Sequence, residues 1–168
     1  TVIAKSKAIF TVSCAERNYQ CQLDDKLAKK SKNYLDWPVI GDRVQITVDP
    51  SGTGQIEMLY PRLNLICRRA VNGKQGGVLS AQAIAANVDQ LVGVMSITQP
   101  QLKWPLLDRY LVMAETQQVE VVICLTKSDL AAQLSENEQA EITRRSQLYR
   151  ELGYRLLFCS ANHLTGMD

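Results

Sequence analysis

Two short stretches hold residue types at a spacing that can do chemistry: Thr126-Lys127-Ser128-Asp129 and Ser160-Ala161-Asn162. Each follows a continuous apolar run, Val121 to Leu125 and Leu156 to Cys159, of the kind that strands buried in a parallel sheet show. Ligands of open α/β sheets sit beyond the carboxyl ends of the strands, so both stretches fall where a ligand is expected. The chemistry that fits is recognition of guanine. Its N1–H and N2 amine are adjacent donors, and the acceptor-only carboxylate of Asp129 can take both in a charge-assisted bidentate pair. Adenine lacks that pair, and leaving the carboxylate unpartnered is how a polar site rejects an analogue. The backbone N–H of Ala161, in a tight loop braced by Ser160 and followed by Asn162, can donate to O6. The aliphatic stem of Lys127 can cover the purine face while its ammonium stays in water. Taken alone, Lys127 and Asp129 read as a helix cap after a strand; the two stretches together favour guanine.

The elements that must position these loops form an α/β alternation after Asn87. Leu91 to Met95 reads as a third buried strand. Pro105 suits a first helical residue, and Leu107, Tyr110, Leu111 and Ala114 recur at three- and four-residue steps. Ser135 and Glu138 have capping-box spacing, and that helix ends near Leu152 with Gly153 as its left-handed cap. The order is strand, helix, strand, helix, strand, which leaves one helix between the two loops. A sheet of about three strands is marginal alone, so dimerisation or exchange of segments between copies is a further expectation.

From Val2 to Arg62 the rhythm is different. Val2 to Ala4, Ala8 to Cys14, Tyr19 to Leu23, Arg43 to Val48 and Gln55 to Leu59 read as short strands separated by turn-formers such as Asp49-Pro50-Ser51-Gly52. Five strands in about sixty residues suit a small closed barrel of the OB-fold type, whose face and loops bind oligonucleotides. The connection at 24–38 is cationic, with Lys26, Lys29, Lys30 and Lys32 followed by Tyr34 and Trp37. Lysines can grip a phosphate backbone and aromatics can stack on bases, although a solvated loop is the plainer reading. Arg62, Arg68 and Arg69 extend the same patch or cover the seam between domains. Residues 70–87, with Gly73, Gly76 and Gly77, read as a linker or long loop. Gly73-Lys74-Gln75-Gly76-Gly77 lacks the spacing of a phosphate loop. The expected organisation is therefore a barrel over 1–69, a linker over 70–87 and an α/β domain over 88–168.

Composition supports a folded protein: 46% of the 168 residues are hydrophobic, enough for one generous domain or two small ones. No stretch approaches a membrane span and the first residues lack a secretory pattern, which reads as a soluble cytoplasmic protein without a membrane partner. Five cysteines, odd in number and never spaced C-x-x-C, read as buried thiols of a reducing compartment rather than disulfides or a metal site. The net charge of +2 is unevenly spread. Residues 1–69 hold eleven Lys and Arg against seven Asp and Glu, and residues 70–168 hold eight against ten. A polyanion is the natural partner of the first part. His163, the sole histidine, reads as a loop residue rather than a general base.

T-K-x-D at Thr126 to Asp129 resembles the fourth motif of GTPases, usually N-K-x-D, and S-A at Ser160-Ala161 resembles the fifth. Thr126 departs from the usual Asn and weakens a bracing hydrogen bond. Ordinary GTPases place the phosphate loop upstream of these motifs, where this chain has its strand-rich first part. The arrangement is similar to the circularly permuted ribosome-assembly GTPase family called RsgA or YjeQ. Val39-Ile40-Gly41-Asp42-Arg43-Val44, Pro61-Arg62-Leu63-Asn64-Leu65, Asn87-Val88-Asp89-Gln90 and Leu107-Asp108-Arg109-Tyr110-Leu111 carry the resemblance alongside the two motifs. It implies an OB-fold followed by part of a permuted P-loop GTPase domain. It also implies GTP or GDP with Mg, action on the small ribosomal subunit through its rRNA, and zinc in a region beyond residue 168. The phosphate loop and hydrolytic groups would also follow residue 168. No catalytic residue and no metal ligand is therefore expected within 1–168, and this chain alone is expected to be inactive. The competing readings are an RNA-binding module whose α/β domain does not use nucleotide, and a Rossmann-like enzyme with a chance T-K-x-D.

Overall fold

Residues 1–30, 34–71 and 79–166 are described in a computed structural model, and they divide into two compact units, residues 1–88 and 89–168. The first unit contains the five expected strands: β1 (Val2–Ser6), β2 (Ile9–Cys14), β3 (Arg17–Leu23), β4 (Val44–Val48) and β5 (Thr53–Leu59). Their order is β1-β2-β3-β5-β4, antiparallel except for the parallel pair β3 and β5. Alternation along the strands puts Val2, Phe10, Val12, Cys21 and Ile56 in one buried cluster, against which Tyr19, Trp37, Val44 and Ile46 pack. Gly54 is opposite Cys21, and a Cβ there would lie 2.3 Å from the Cys21 sulfur, so the parallel pairing needs glycine.

The sheet is not a closed barrel. No strand ladder joins β1 to β4 among the described residues; only Val2 exchanges backbone bonds with Gly41 and Asp42, which precede β4. The 24–38 connection, read as a loop, contains a short helix α1 (Asp25–Lys30), opened by the Asp24 carboxylate accepting from the Lys26 N–H, and a 3-10 turn at Tyr34–Asp36. The expected linker is also revised. β6 (Leu65–Val71) and β7 (Leu79–Ala86) form an antiparallel ladder, and residues 72–78 between them lie outside the described residues. Alanines at 81, 83, 85 and 86 looked loop-like by composition, but cross-strand pairing with Leu65 to Arg69 decides the conformation.

The segments around 40, 62 and 87 meet in one network. Asp42 is fully buried; it accepts from Arg62 Nε and Nη2 at 2.8 Å each and from the Val39 N–H at 2.7 Å. Two further Arg62 N–H groups go to the carbonyls of Leu35 and Trp37. Asn87 donates to the Gly41 carbonyl and accepts from the Leu63 N–H, while Asn64 brackets the backbone of Val88. Gly41, at φ +90°, approaches Ala86 so closely that a Cβ would fall 1.9 Å from its carbonyl oxygen.

The second unit is a three-stranded parallel sheet, β10-β9-β8, with β8 (Gln90–Ser96), β9 (Glu120–Thr126) and β10 (Arg155–Phe158). Helix α2 (Trp104–Thr116) starts with Pro105 in its first turn and buries Leu107, Leu111 and Ala114; Tyr110 stays 39% exposed. Helix α3 (Glu136–Glu151) carries the expected capping box between Ser135 and Glu138 and ends before Gly153, which has φ +93°. Tyr149 of α3 is buried beside Trp104 and donates to Asp108 at 2.7 Å, joining the two helices. The apolar runs suggested burial on both faces. Val92 and Val94 are instead 53% and 62% exposed, because α2 and α3 account for the covered side alone.

Among the described residues one buried side-chain polar atom has no hydrogen-bond partner, the Ser146 hydroxyl on α3. Removing an unsatisfied buried hydroxyl gives up no hydrogen bond. Ser146→Ala is expected to raise stability by up to about 1 kcal/mol or leave it unchanged in urea unfolding, and a loss of more than that would reveal a partner for the hydroxyl.

Candidate functional site

The two sequence stretches do converge. Thr126 ends β9, and the Ser128 N–H donates to the Cys159 carbonyl at 3.1 Å, which brings the loop after β9 against the end of β10. Lys127 has φ 58°, a left-handed conformation uncommon for a residue with a side chain, and a 3-10 turn follows at Ser128–Gln133. Asp129 sits on that turn as its first-turn acid. Its Oδ1 accepts from the buried Ser160 hydroxyl at 2.6 Å and its Oδ2 from the Asn162 amide at 3.2 Å. Ser160 Oγ also accepts from the His163 N–H, so His163 enters the site through its backbone, as a loop residue.

The electrostatic result is a carboxylate held ionised. The Ser160 hydrogen bond is the largest cause, and together with that of Asn162 it lowers the Asp129 pKa below its ordinary value despite the opposing effect of desolvation. Each carboxylate oxygen has one side-chain donor, the Asp129 backbone N–H adds a further hydrogen bond, and a carboxylate with about four lone-pair positions still has acceptor capacity. Thr126 directs its hydroxyl to the Met95 carbonyl at 3.3 Å, tying β9 to the end of β8. The Lys127 ammonium reaches the Gln99 carbonyl in the loop after β8. Ala161 and Asn162 are exposed at the rim.

These residues line an open cleft of about 860 Å³ at the carboxyl edge of the sheet. Thr126, Lys127, Asp129, Ala161 and Asn162 are all on its wall, while Ser160 supports the wall from behind. Sequence reasoning missed Gln99, Leu130 and Gly166, which also line it. Gln99 had a readable signal, since Gln99-Pro100 follows the end of β8 and is a third strand-end loop. The cleft continues over the uncovered side of the sheet past Val92, Cys124 and Leu157. Burial and then the neighbouring Cys159 push the Cys124 thiol up to about 11. All five cysteines are free; Cys21 and Cys159 are buried as expected, Cys67 and Cys124 are half-buried and Cys14 is exposed.

The basic residues of the first unit are dispersed. Lys26 and Lys29 are exposed on α1, and Trp37 is half-buried against the strand core with the Lys5 ammonium 5.8 Å from its ring. Arg68 is exposed on β6, where its Nε donates to Gln82. Arg62 does not belong with them: its guanidinium makes four hydrogen bonds, to Asp42 and two backbone carbonyls, so it braces the Trp37 segment. Lys32, and the side chains of Lys30 and Arg69, lie outside the described residues. Among the described residues no group of His, Cys, Asp and Glu could hold a metal ion, and no helix is long and apolar enough to cross a membrane.

Fold and cleft together define an α/β unit with a strand-end site, preceded by a strand-rich unit. A family model described as RsgA GTPase matches residues 59–168, and the chain belongs to that family. A small ribosomal subunit biogenesis GTPase RsgA from Alkaliphilus metalliredigens is 33% identical over 95% of this chain and 47% of its own length. The protein of the same name from Sodalis glossinidius is 36% identical over 92% of this chain and 41% of its own length. Among solved structures, YjeQ from Thermotoga maritima matches with a TM-score of 0.70 at 26% identity, covering 99% of this chain and 52% of that one. YloQ, described as a circularly permuted GTPase, matches with a TM-score of 0.63 at 25% identity over 96% of this chain and 50% of that one. The chain thus spans about half the length of the relatives it matches.

Proposed function

We propose that the strand-end cleft reads the guanine base of GTP and GDP, within a GTPase that acts in maturation of the small ribosomal subunit. The observation that carries this reading is the Asp129 carboxylate, braced by Ser160 and Asn162 and still able to accept further hydrogen bonds. Guanine N1–H and N2–H fill those positions, Ala161 N–H meets O6, and the Lys127 stem flanks the ring. The residues 1–168 bind and orient the base; they include no G-x-x-x-x-G-K-[ST] sequence to cradle phosphates and Mg, so hydrolysis depends on groups beyond them. Titration of the full-length protein with GDP, GTP and ATP tests the reading: guanine nucleotides bind selectively, and equal affinity for ATP would refute it.

The first unit is the proposed rRNA-binding element, working as an OB-fold-like barrel in the cytoplasm. Support comes from the strand order with its parallel β3–β5 pair, the bonds from Val2 to Gly41 and Asp42 across the open seam, and the exposed cations Lys26, Lys29 and Arg68. Lys30, Lys32 and Arg69 extend this basic set by sequence, and Trp37 is its stacking aromatic. Each lysine that contacts a phosphate releases a counterion. Lys26→Ala and Lys29→Ala are each expected to weaken rRNA binding and to lower the salt dependence of log affinity by about one unit of slope. An unchanged slope in both would remove α1 from the interface.

A further inference from the structure

We propose that Cys124 and Cys159 form a dithiol modification site, which closes into an intramolecular disulfide by exchange with a low-molecular-weight disulfide. Cys124 stands on β9, registered with Leu157 of β10, and Cys159 directly follows the last residue of β10, its N–H donating to the Leu125 carbonyl. Residues two apart on a strand share a face, so both thiols rise from the same side of the sheet. Their sulfurs are 3.2 Å apart. A disulfide bond is about 2.05 Å long, so closure asks for a movement of about 1.1 Å. The other three cysteines are in the first unit, and none of them is hydrogen-bonded to another thiol among the described residues.

Access gives the reaction an order. Both cysteines line the open cleft, but Cys124 is half-buried whereas Cys159 is 8% exposed and donates to the Gly166 carbonyl at 3.0 Å. Cys124 loses its proton and its thiolate attacks one sulfur of the small disulfide, whose S–S bond breaks and releases one small thiolate. Cys159 then loses its proton and attacks the Cys124 sulfur of the mixed disulfide, expelling the second small thiolate. The two released thiolates take up the two protons. The pair has lost two electrons, and the small disulfide has become two thiols. Burial and the neighbouring Cys159 raise the Cys124 pKa, which slows the exchange. The product is a strap between β9 and the root of the Ser160 loop, the segment that braces Asp129.

The test is peptide mapping of the folded chain after incubation with oxidised glutathione, acid quench and alkylation. The expected result is a peptide pair linked through Cys124 and Cys159, lighter by two hydrogens than the free pair, which dithiothreitol abolishes. It should form faster in the folded chain than in urea, and Cys124→Ser should leave no linked pair. Two outcomes overturn the proposal. One is a folded chain that carries a stable glutathione adduct on Cys124 with Cys159 still alkylatable. The other is linkage that appears only in urea. Neither readout depends on nucleotide binding, so the dithiol stands or falls separately from the guanine reading.

Discussion

Asp129→Ala abolishes the preference for guanine nucleotides, with GDP affinity falling at least about a hundredfold. The substitution removes the acceptor for both N1–H and N2–H, and it also releases Ser160 and Asn162 from the carboxylate that orders them. A second variant separates lost recognition from a collapsed loop. Asp129→Asn keeps shape and hydrogen bonding but replaces one acceptor oxygen with a donor amide. That amide repels the guanine N2 amine and suits a carbonyl in its place, so preference shifts from guanine to xanthine nucleotides. The shift is measured by titrating the full-length protein with GDP and XDP, and an Asn variant that keeps guanine preference would take Asp129 out of the base contact. The lowered Asp129 pKa sets the acid limit with a definite sign. The carboxylate stays ionised as pH falls through the usual carboxylate range near about 4, so base selectivity outlasts that range and is lost only below it.

Asp42→Ala destabilises the first unit by about 3–5 kcal/mol, the expected cost of breaking a buried, hydrogen-bonded ion pair by removing one partner. Asp42 is fully buried, and Arg62 is 15% exposed at the side chain. The loss leaves the guanidinium facing only the Leu35 and Trp37 carbonyls and frees the Val39 N–H. Arg62→Ala strands the carboxylate instead, and the double variant costs less than the two singles together because they share one interaction. Urea unfolding followed by Trp37 fluorescence in a Trp104→Phe background reads the effect, with Asp129→Ala as a control that leaves the first unit untouched. A cost below about 1 kcal/mol for Asp42→Ala would mean that the pair is open to solvent.

Several features were legible in the chain alone, and for a common reason. The β9 and β10 strands, the capping box at Ser135, Gly153 after α3 and the two strand-end motifs are local patterns of period, cap and turn, so the residues that define them are neighbours in sequence. The five strands of the first unit were readable on the same basis. Other features were settled by long-range pairing. β7 is composed like a loop and becomes a strand because β6 offers it a ladder. The barrel expected from strand count does not close by pairing, since closure depends on how the β1 and β4 edges meet. Arg62 looked like a phosphate ligand by charge, but folding sets it against Asp42, twenty residues earlier. The Cys124–Cys159 contact spans thirty-five residues and follows from the register of two parallel strands. Sequence thus determined what each segment can form and what chemistry its side chains hold. Tertiary structure decided which edges pair and which charges neutralise one another, because those choices rest on contacts between residues distant in the chain.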